Sequence, residues 1–364
     1  MRSLEIGVTN VALESDVTGM PERQRRLEYD ALRTVAIFAI VLLHISTYVV
    51  YWKPNPAEIG WVFSDWVFIC CHWAVPVFIM LTGAVLSIRD TITFSFRHWA
   101  RRLIRLGLIT LAVSGSFVLI SIFVLQDFDR IGFGLAMMGA EPFFHLWYLY
   151  LALGLYTASP LLLLIARRFS PTTVYLVMAI VIAVCAFANW PGANPILKLF
   201  VGLGLCGYFL VGALLQKLAP PTGWRLALVI VVFLASAIID AELGVILVPK
   251  LGNGGFEYAG AFTNPFVAVM AVCMFNLAGV LPLRMALVKI SGATLGVYII
   301  HPLWVLVLAQ YNITGHWHGA FIGIPLVAIA VFVLSLMTVL TAKTAISVVR
   351  RLIFATSASQ KGFV

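Results

Sequence analysis

Residues 31–51 read ALRTVAIFAIVLLHISTYVVY. This is an apolar run of about 20 residues, the length a helix needs to cross the hydrocarbon of a bilayer. It carries Arg33 near one end and His44 well inside. Similar runs follow at about 61–86, 103–125, 143–166, 173–189, 199–216, 224–240, 263–283, 291–311 and 320–349. The fold class expected is all-α: a polytopic membrane protein with about ten transmembrane helices. The runs 173–189 and 224–240 are short and 61–86 and 320–349 are long, which tilt and packing accommodate.

Composition agrees. Of 364 residues, 62% are hydrophobic and 11% charged, and the mean hydropathy is +1.02. A soluble protein averages about 45–50% apolar and about 25% charged residues. So few charges cannot cover a water-facing surface. This excludes an ordinary soluble enzyme, a secreted disulfide scaffold, a disordered chain and a nucleic-acid-binding module. Cys70, Cys71, Cys185, Cys206 and Cys273 all lie in apolar runs without metal-ligand spacing, so they read as small buried hydrophobes and no metal is expected.

The net charge of +9 follows the membrane boundaries. With ten spans and a cytoplasmic N-terminus, 20 of the 24 Lys and Arg fall on the inner side, leaving only Lys53, Arg130, Lys198 and Lys250 outside. That bias satisfies the positive-inside rule and puts both termini in the cytoplasm. The organisation expected is a polar tail over 1–28 without the apolar core of a signal peptide, a membrane domain over 29–349, and a basic tail over 350–364. Internal repeats are absent, which argues against an inverted-repeat transporter. The longer outer segments, 126–142 and 241–262, are expected to shape a vestibule.

Five motifs carry candidate chemistry. Arg33 and His44 are eleven residues apart, so they share a helix face with about 20° of offset and lie about 16 Å apart along the axis. An ionisable residue at membrane depth is a functional candidate by default; the plainer roles are helix packing for His44 and a snorkelling anchor for Arg33. Arg97, Arg101, Arg102 and Arg105 form a second cluster, suited to clamping phosphates and equally suited to fixing topology. Pro76 to Gly83 bends a span and permits close helix approach. Glu141, four residues before His145, is expected on the same helical face, beside Trp147 and Tyr148. Finally, Ser291 to Pro302 holds Tyr298 and His301 and reads as a polar interruption within a span. His72, Asp65 and Asp240 are further polar residues in or beside spans.

Taken in order, Arg33-x10-His44, the Pro76–Gly83 stretch, Arg101-Arg102-x-x-Arg105, His145-Leu-Trp-Tyr-Leu and Tyr298-x-x-His301-Pro302 resemble the integral-membrane acyltransferase 3 family. The motifs run from residue 30 to residue 302, nearly the whole chain. The family's Phe-Phe-x-x-Ser-Gly stands here as Phe78 to Gly83, with Ile79 for the second Phe and Thr82 for the Ser. The resemblance is to the stand-alone members, without an added esterase-like domain.

The resemblance implies transfer of an acetyl or other short acyl group from cytoplasmic acetyl-CoA to a sugar hydroxyl. The acceptor is a cell-surface polysaccharide, such as an exopolysaccharide or O-antigen, or its undecaprenyl-linked precursor. The location implied is the bacterial cytoplasmic membrane, with membrane lipid as surroundings, no cofactor beyond the acetyl-CoA donor and no nucleic acid. His44 and Arg33 then stand as catalytic candidates, and Arg97, Arg101, Arg102 and Arg105 as acyl-CoA ligands. Asp30, Thr82, Glu141, His145, Trp147, Tyr298 and His301 stand as the donor or acceptor pocket. His44 acts either as general base or as an acyl carrier. The alternative reading is a proton-coupled transporter or exporter, which intramembrane His and Asp also suit.

Overall fold

The computed structural model describes residues 26–52, 57–89, 95–125, 145–282 and 284–361. Among them all regular structure is helical and no strand occurs. The α-helices are α1 (Leu27–Trp52), α2 (Ile59–Cys71), α3 (Ala74–Arg89), α4 (Phe96–Ile120), α5 (Trp147–Arg168), α6 (Pro171–Ala188) and α7 (Pro195–Leu215). They continue with α8 (Trp224–Leu251), α9 (Asn253–Ala259), α10 (Pro265–Leu277), α11 (Arg284–Ser291), α12 (Thr294–Gln310) and α13 (Ala320–Lys361).

Every apolar run of the sequence has a helix. Among the described residues, eight stretches are long and apolar enough to cross a bilayer, and a ninth qualifies if α10 and α11 are one span bent by 107°. α12 is an apolar helix of 17 residues. The chain is therefore a multi-pass helical membrane protein. In lipid a helix satisfies its own backbone polar groups, which is why it is the form such runs take.

Three departures from the sequence reading have local causes. The long run at 61–86 is two helices, α2 and α3, parted at His72 and Trp73. Pro76 lacks the N–H that the carbonyl of His72 would accept from, and its ring crowds that carbonyl. The run at 263–283 turns instead of continuing, because Pro282 denies a helical partner to the carbonyl of Ala278. The segment 241–262, expected as an outer connection, is helix to Leu251 and again over Asn253–Ala259, and its expected companion 126–142 lies outside the described residues. Asp240 looked like a boundary, but it is buried, facing inward, and α8 runs on past it to Leu251.

The interior belongs to the first helices. In the most apolar part of Ile59–Ile88, 78% of the residues are buried, and 61% in Leu27–Val50, against 22% for Phe96–Phe123, Pro171–Ala188 and Trp224–Leu251. So α1, α2 and α3 form the centre, and α4, α6 and α8 turn most of their surface to lipid. The tightest crossing joins α3 to α7: a Cβ on Gly83 would overlap the carbonyl of Phe209, and one on Gly212 the carbonyl of Met80. Helices with little hydrophobic drive between them associate through such small-residue contacts. At one end of the bundle the Thr34 hydroxyl donates to the Leu287 carbonyl (3.0 Å), tying α1 to α11.

Gly83→Ala and Gly212→Ala should each force α3 and α7 apart, at a cost of about 1–3 kcal/mol. Thermal unfolding in detergent reads this directly, and an unchanged Tm in both variants would remove the crossing as a stabilising contact.

Candidate functional site

Three histidines from three helical segments meet in the bundle. His44 on α1 stacks on His301 of α12, with ring centroids 5.2 Å apart and planes 26° apart. His145, in the turn before α5, meets His301 edge-on at 5.6 Å. His145 and His301 are buried, whereas His44 keeps part of its surface accessible. Tyr298 completes the group: its hydroxyl donates to the backbone carbonyl of His145, and its ring lies 5.4 Å from the His145 ring. Phe117 of α4 closes the far side of His145 at 5.1 Å.

The His301-Pro302 pair has a physical explanation. The interruption expected within Ser291–Pro302 falls at Gly292 and Ala293, between α11 and α12, and α12 runs unbroken through Pro302 from Thr294 to Gln310. Pro302 nevertheless has no N–H to donate to the Tyr298 carbonyl four residues back. That carbonyl accepts instead from Nδ1 of His301 (2.8 Å), and the Val297 carbonyl lies 3.2 Å from the same nitrogen. Carbonyl oxygens only accept, so Nδ1 carries the proton and the neutral ring presents Nε2 as a lone pair. Nε2 of His301 is buried with no hydrogen-bond partner among the described residues. A lone pair held in this way is a prepared hydrogen-bond acceptor.

A polar chain leads away from the histidines. The Tyr148 ring packs on Tyr298 at 5.9 Å, and the Tyr148 hydroxyl lies within reach of Thr82. The Thr82 hydroxyl donates to the Phe78 carbonyl (2.9 Å). The threonine in place of serine therefore keeps a hydrogen-bonding hydroxyl at this point. Arg33 lies within electrostatic reach of Tyr148 and pairs with Asp30, its Nη1 2.8 Å from Oδ1. Asp30 and Arg33 are one turn apart on α1, so the helix itself sets this pairing.

The arginine cluster opens α4. Arg97, Arg101 and Arg105 are exposed and Arg102 is half-buried. The indole N–H of Trp99 donates to the Tyr156 carbonyl (2.8 Å), fastening this end of α4 to α5. Arg105 precedes Phe117, the residue against His145, by twelve positions, or about 18 Å of helix. Arg33 precedes His44 by about 16 Å. Each set of arginines thus precedes, by about 16–18 Å of its own helix, a residue in or against the histidine group.

The remaining candidates lie elsewhere. Trp147 stacks on Phe262 at 5.1 Å, beside His72 rather than within the three-histidine group. Glu141, expected to share a face with His145, falls outside the described residues, and α5 begins only at Trp147. Sequence reasoning assigned no role to Tyr148 as the link between Thr82 and Tyr298. It also gave none to His72, whose ring lies close enough to act electrostatically on His44. A tyrosine next to a tryptophan at a span's end reads as an interfacial belt, and only packing shows otherwise.

Pro302→Ala restores an N–H that competes for the Tyr298 carbonyl. Thermal stability should rise, by up to about 3 kcal/mol from helix propensity, while His301 loses its fixed tautomer. Nitrogen NMR of labelled histidine would show both neutral tautomers; a single Nδ1–H form in the variant would contradict this account of the proline.

A family model described as an acyltransferase domain matches residues 26–341. No match to the chain was found among curated proteins or among solved structures.

Proposed function

The chain belongs to the acyltransferase 3 family of membrane acyltransferases, and from that premise we propose that it acetylates a sugar hydroxyl. The donor in this reading is acetyl-CoA, reached from the cytoplasm. The acceptor is a cell-surface polysaccharide or its undecaprenyl-linked precursor, met at the bacterial inner membrane. The charge asymmetry of the sequence supports an N-terminus and a C-terminus in the cytoplasm. The observation that carries the chemistry is the stacked pair His44 and His301, with a ring nitrogen of His301 left as a buried acceptor.

The reaction needs few parts. CoA is polyanionic, and the exposed arginines at the start of α4 are suited to its phosphates. Its long arm then carries the thioester along the span of about 16–18 Å that separates the arginines from the histidines. Neutral His44 takes the proton of the acceptor hydroxyl as the oxygen attacks the thioester carbonyl. The O–C bond forms, the C–S bond breaks, and the proton returns to the leaving CoA thiolate. His301, fixed through Nδ1, supports the His44 ring by stacking and offers a second acceptor for the same proton. Exclusion of water by the surrounding helices protects the thioester from hydrolysis.

His44→Ala should abolish transfer of radiolabelled acetyl from acetyl-CoA to envelope glycan while insertion and folding stay intact; near-normal transfer would remove His44 from the mechanism. Label retained on the protein in place of release would support an acyl-histidine route instead of base catalysis. Arg101→Ala and Arg102→Ala should raise the KM for acetyl-CoA, less so at high salt where the attraction is already screened, with kcat little changed. An unchanged KM would return these arginines to a topological role.

A further inference from the structure

Away from the histidines, two acidic side chains face each other across the contact of α2 with α8. Asp65 on α2 and Asp240 on α8 both have no exposed surface. Asp240 Oδ1 accepts from Asn264 Nδ2 (3.0 Å). Asp240 Oδ2 and both oxygens of Asp65 have no hydrogen-bond partner among the described residues. The two carboxyl groups act on each other electrostatically, and Cys70 of α2 feels both. Asp65 lies over the α8 face that carries Asp240: a Cβ on Gly244, one turn beyond Asp240, would sit 2.8 Å from Asp65 Oδ2. Glycine at this position is what lets the acid fit against α8.

Two ionised carboxylates cannot share an apolar seam without compensation. Neither residue takes part in an ion pair among the described residues. Among the described residues the other titratable groups that act on the pair are Glu242 on α8, Tyr258 on α9 and Cys70, and none of them is a cation. A metal ion requires several oxygen or nitrogen ligands, and no group of three or more His, Cys, Asp or Glu among the described residues is arranged to hold one. The remaining compensation is a proton.

We propose that Asp65 and Asp240 form a buried acid pair that binds one proton. Asn264 donates to Asp240 and so favours it as the carboxylate. Asp65 is then the acid. The pair carries one negative charge instead of two. Asp65 lies on α2 six residues before its last residue, Cys71, and the break at His72 follows.

The test uses purified full-length protein in lipid nanodiscs without acyl donor, so its outcome is independent of the acyltransferase reading. Infrared spectra at neutral pH should show the carbonyl stretch of a protonated carboxyl that shifts on exchange into D2O. The band should be lost in Asp65→Asn, displaced in Asp240→Asn and unchanged in Glu242→Gln. Should Asp65→Asn fail to fold, the displacement in Asp240→Asn decides. Absence of the band, its indifference to both Asp65→Asn and Asp240→Asn, or its appearance only after sodium and divalent cations are withdrawn would overturn the proposal, the last by marking a metal site.

Discussion

A backbone carbonyl inside a bilayer has no water to turn to, and this constraint shapes the centre of the molecule. Pro302 withholds one N–H from the Tyr298 carbonyl, and the carbonyl takes the Nδ1 proton of His301 in its place. Ring orientation, tautomer and the direction of the free lone pair all follow from that one exchange. The stacking of His44 on His301 and the edge contact of His145 are organised about a ring that is itself held by the backbone. Pro76 works by the same rule at the other break, where α2 stops and α3 starts, with His72 at the junction.

Two sets of polar groups are gathered in the interior. One runs from Asp30 and Arg33 past Thr82, Tyr148 and Tyr298 to the histidines. The other is Asp65 and Asp240 with Asn264. Both lie on or against α1, α2 and α3, the helices most enclosed by protein. Desolvation makes such residues costly on a lipid-facing surface, so they collect where other helices cover them. The glycine crossing of α3 and α7 brings the covering helix close enough to do so.

Much of this was legible beforehand. Each long apolar run became helix, because length and composition alone decide that in lipid. The motif residues His44, His145, Tyr298 and His301 came together in space, and the arginines stayed apart from them at the start of α4. What misread the sequence was the treatment of polar residues as edges. Asp240 looked like the end of a span and lies mid-helix against Asp65; the interruption read in Ser291–Pro302 falls at Gly292 and Ala293, not at its tyrosine and histidine. A polar residue marks a boundary only if it meets water, and whether it does depends on which helix lies over it.

The amino-acid order by itself determined that the protein is a bundle of membrane helices, where most of those helices lie, and which titratable residues sit at membrane depth. These are local properties, set by hydropathy over a span and by the chemistry of each side chain. The tertiary structure alone decided that His301 is the ring His44 stacks on, that Tyr148 bridges Thr82 and Tyr298, and that two acids more than 170 positions apart in the chain share one seam. Those pairings depend on helix crossings fixed by a few small residues and a few displaced hydrogen bonds, and neither leaves a periodic signal in the sequence.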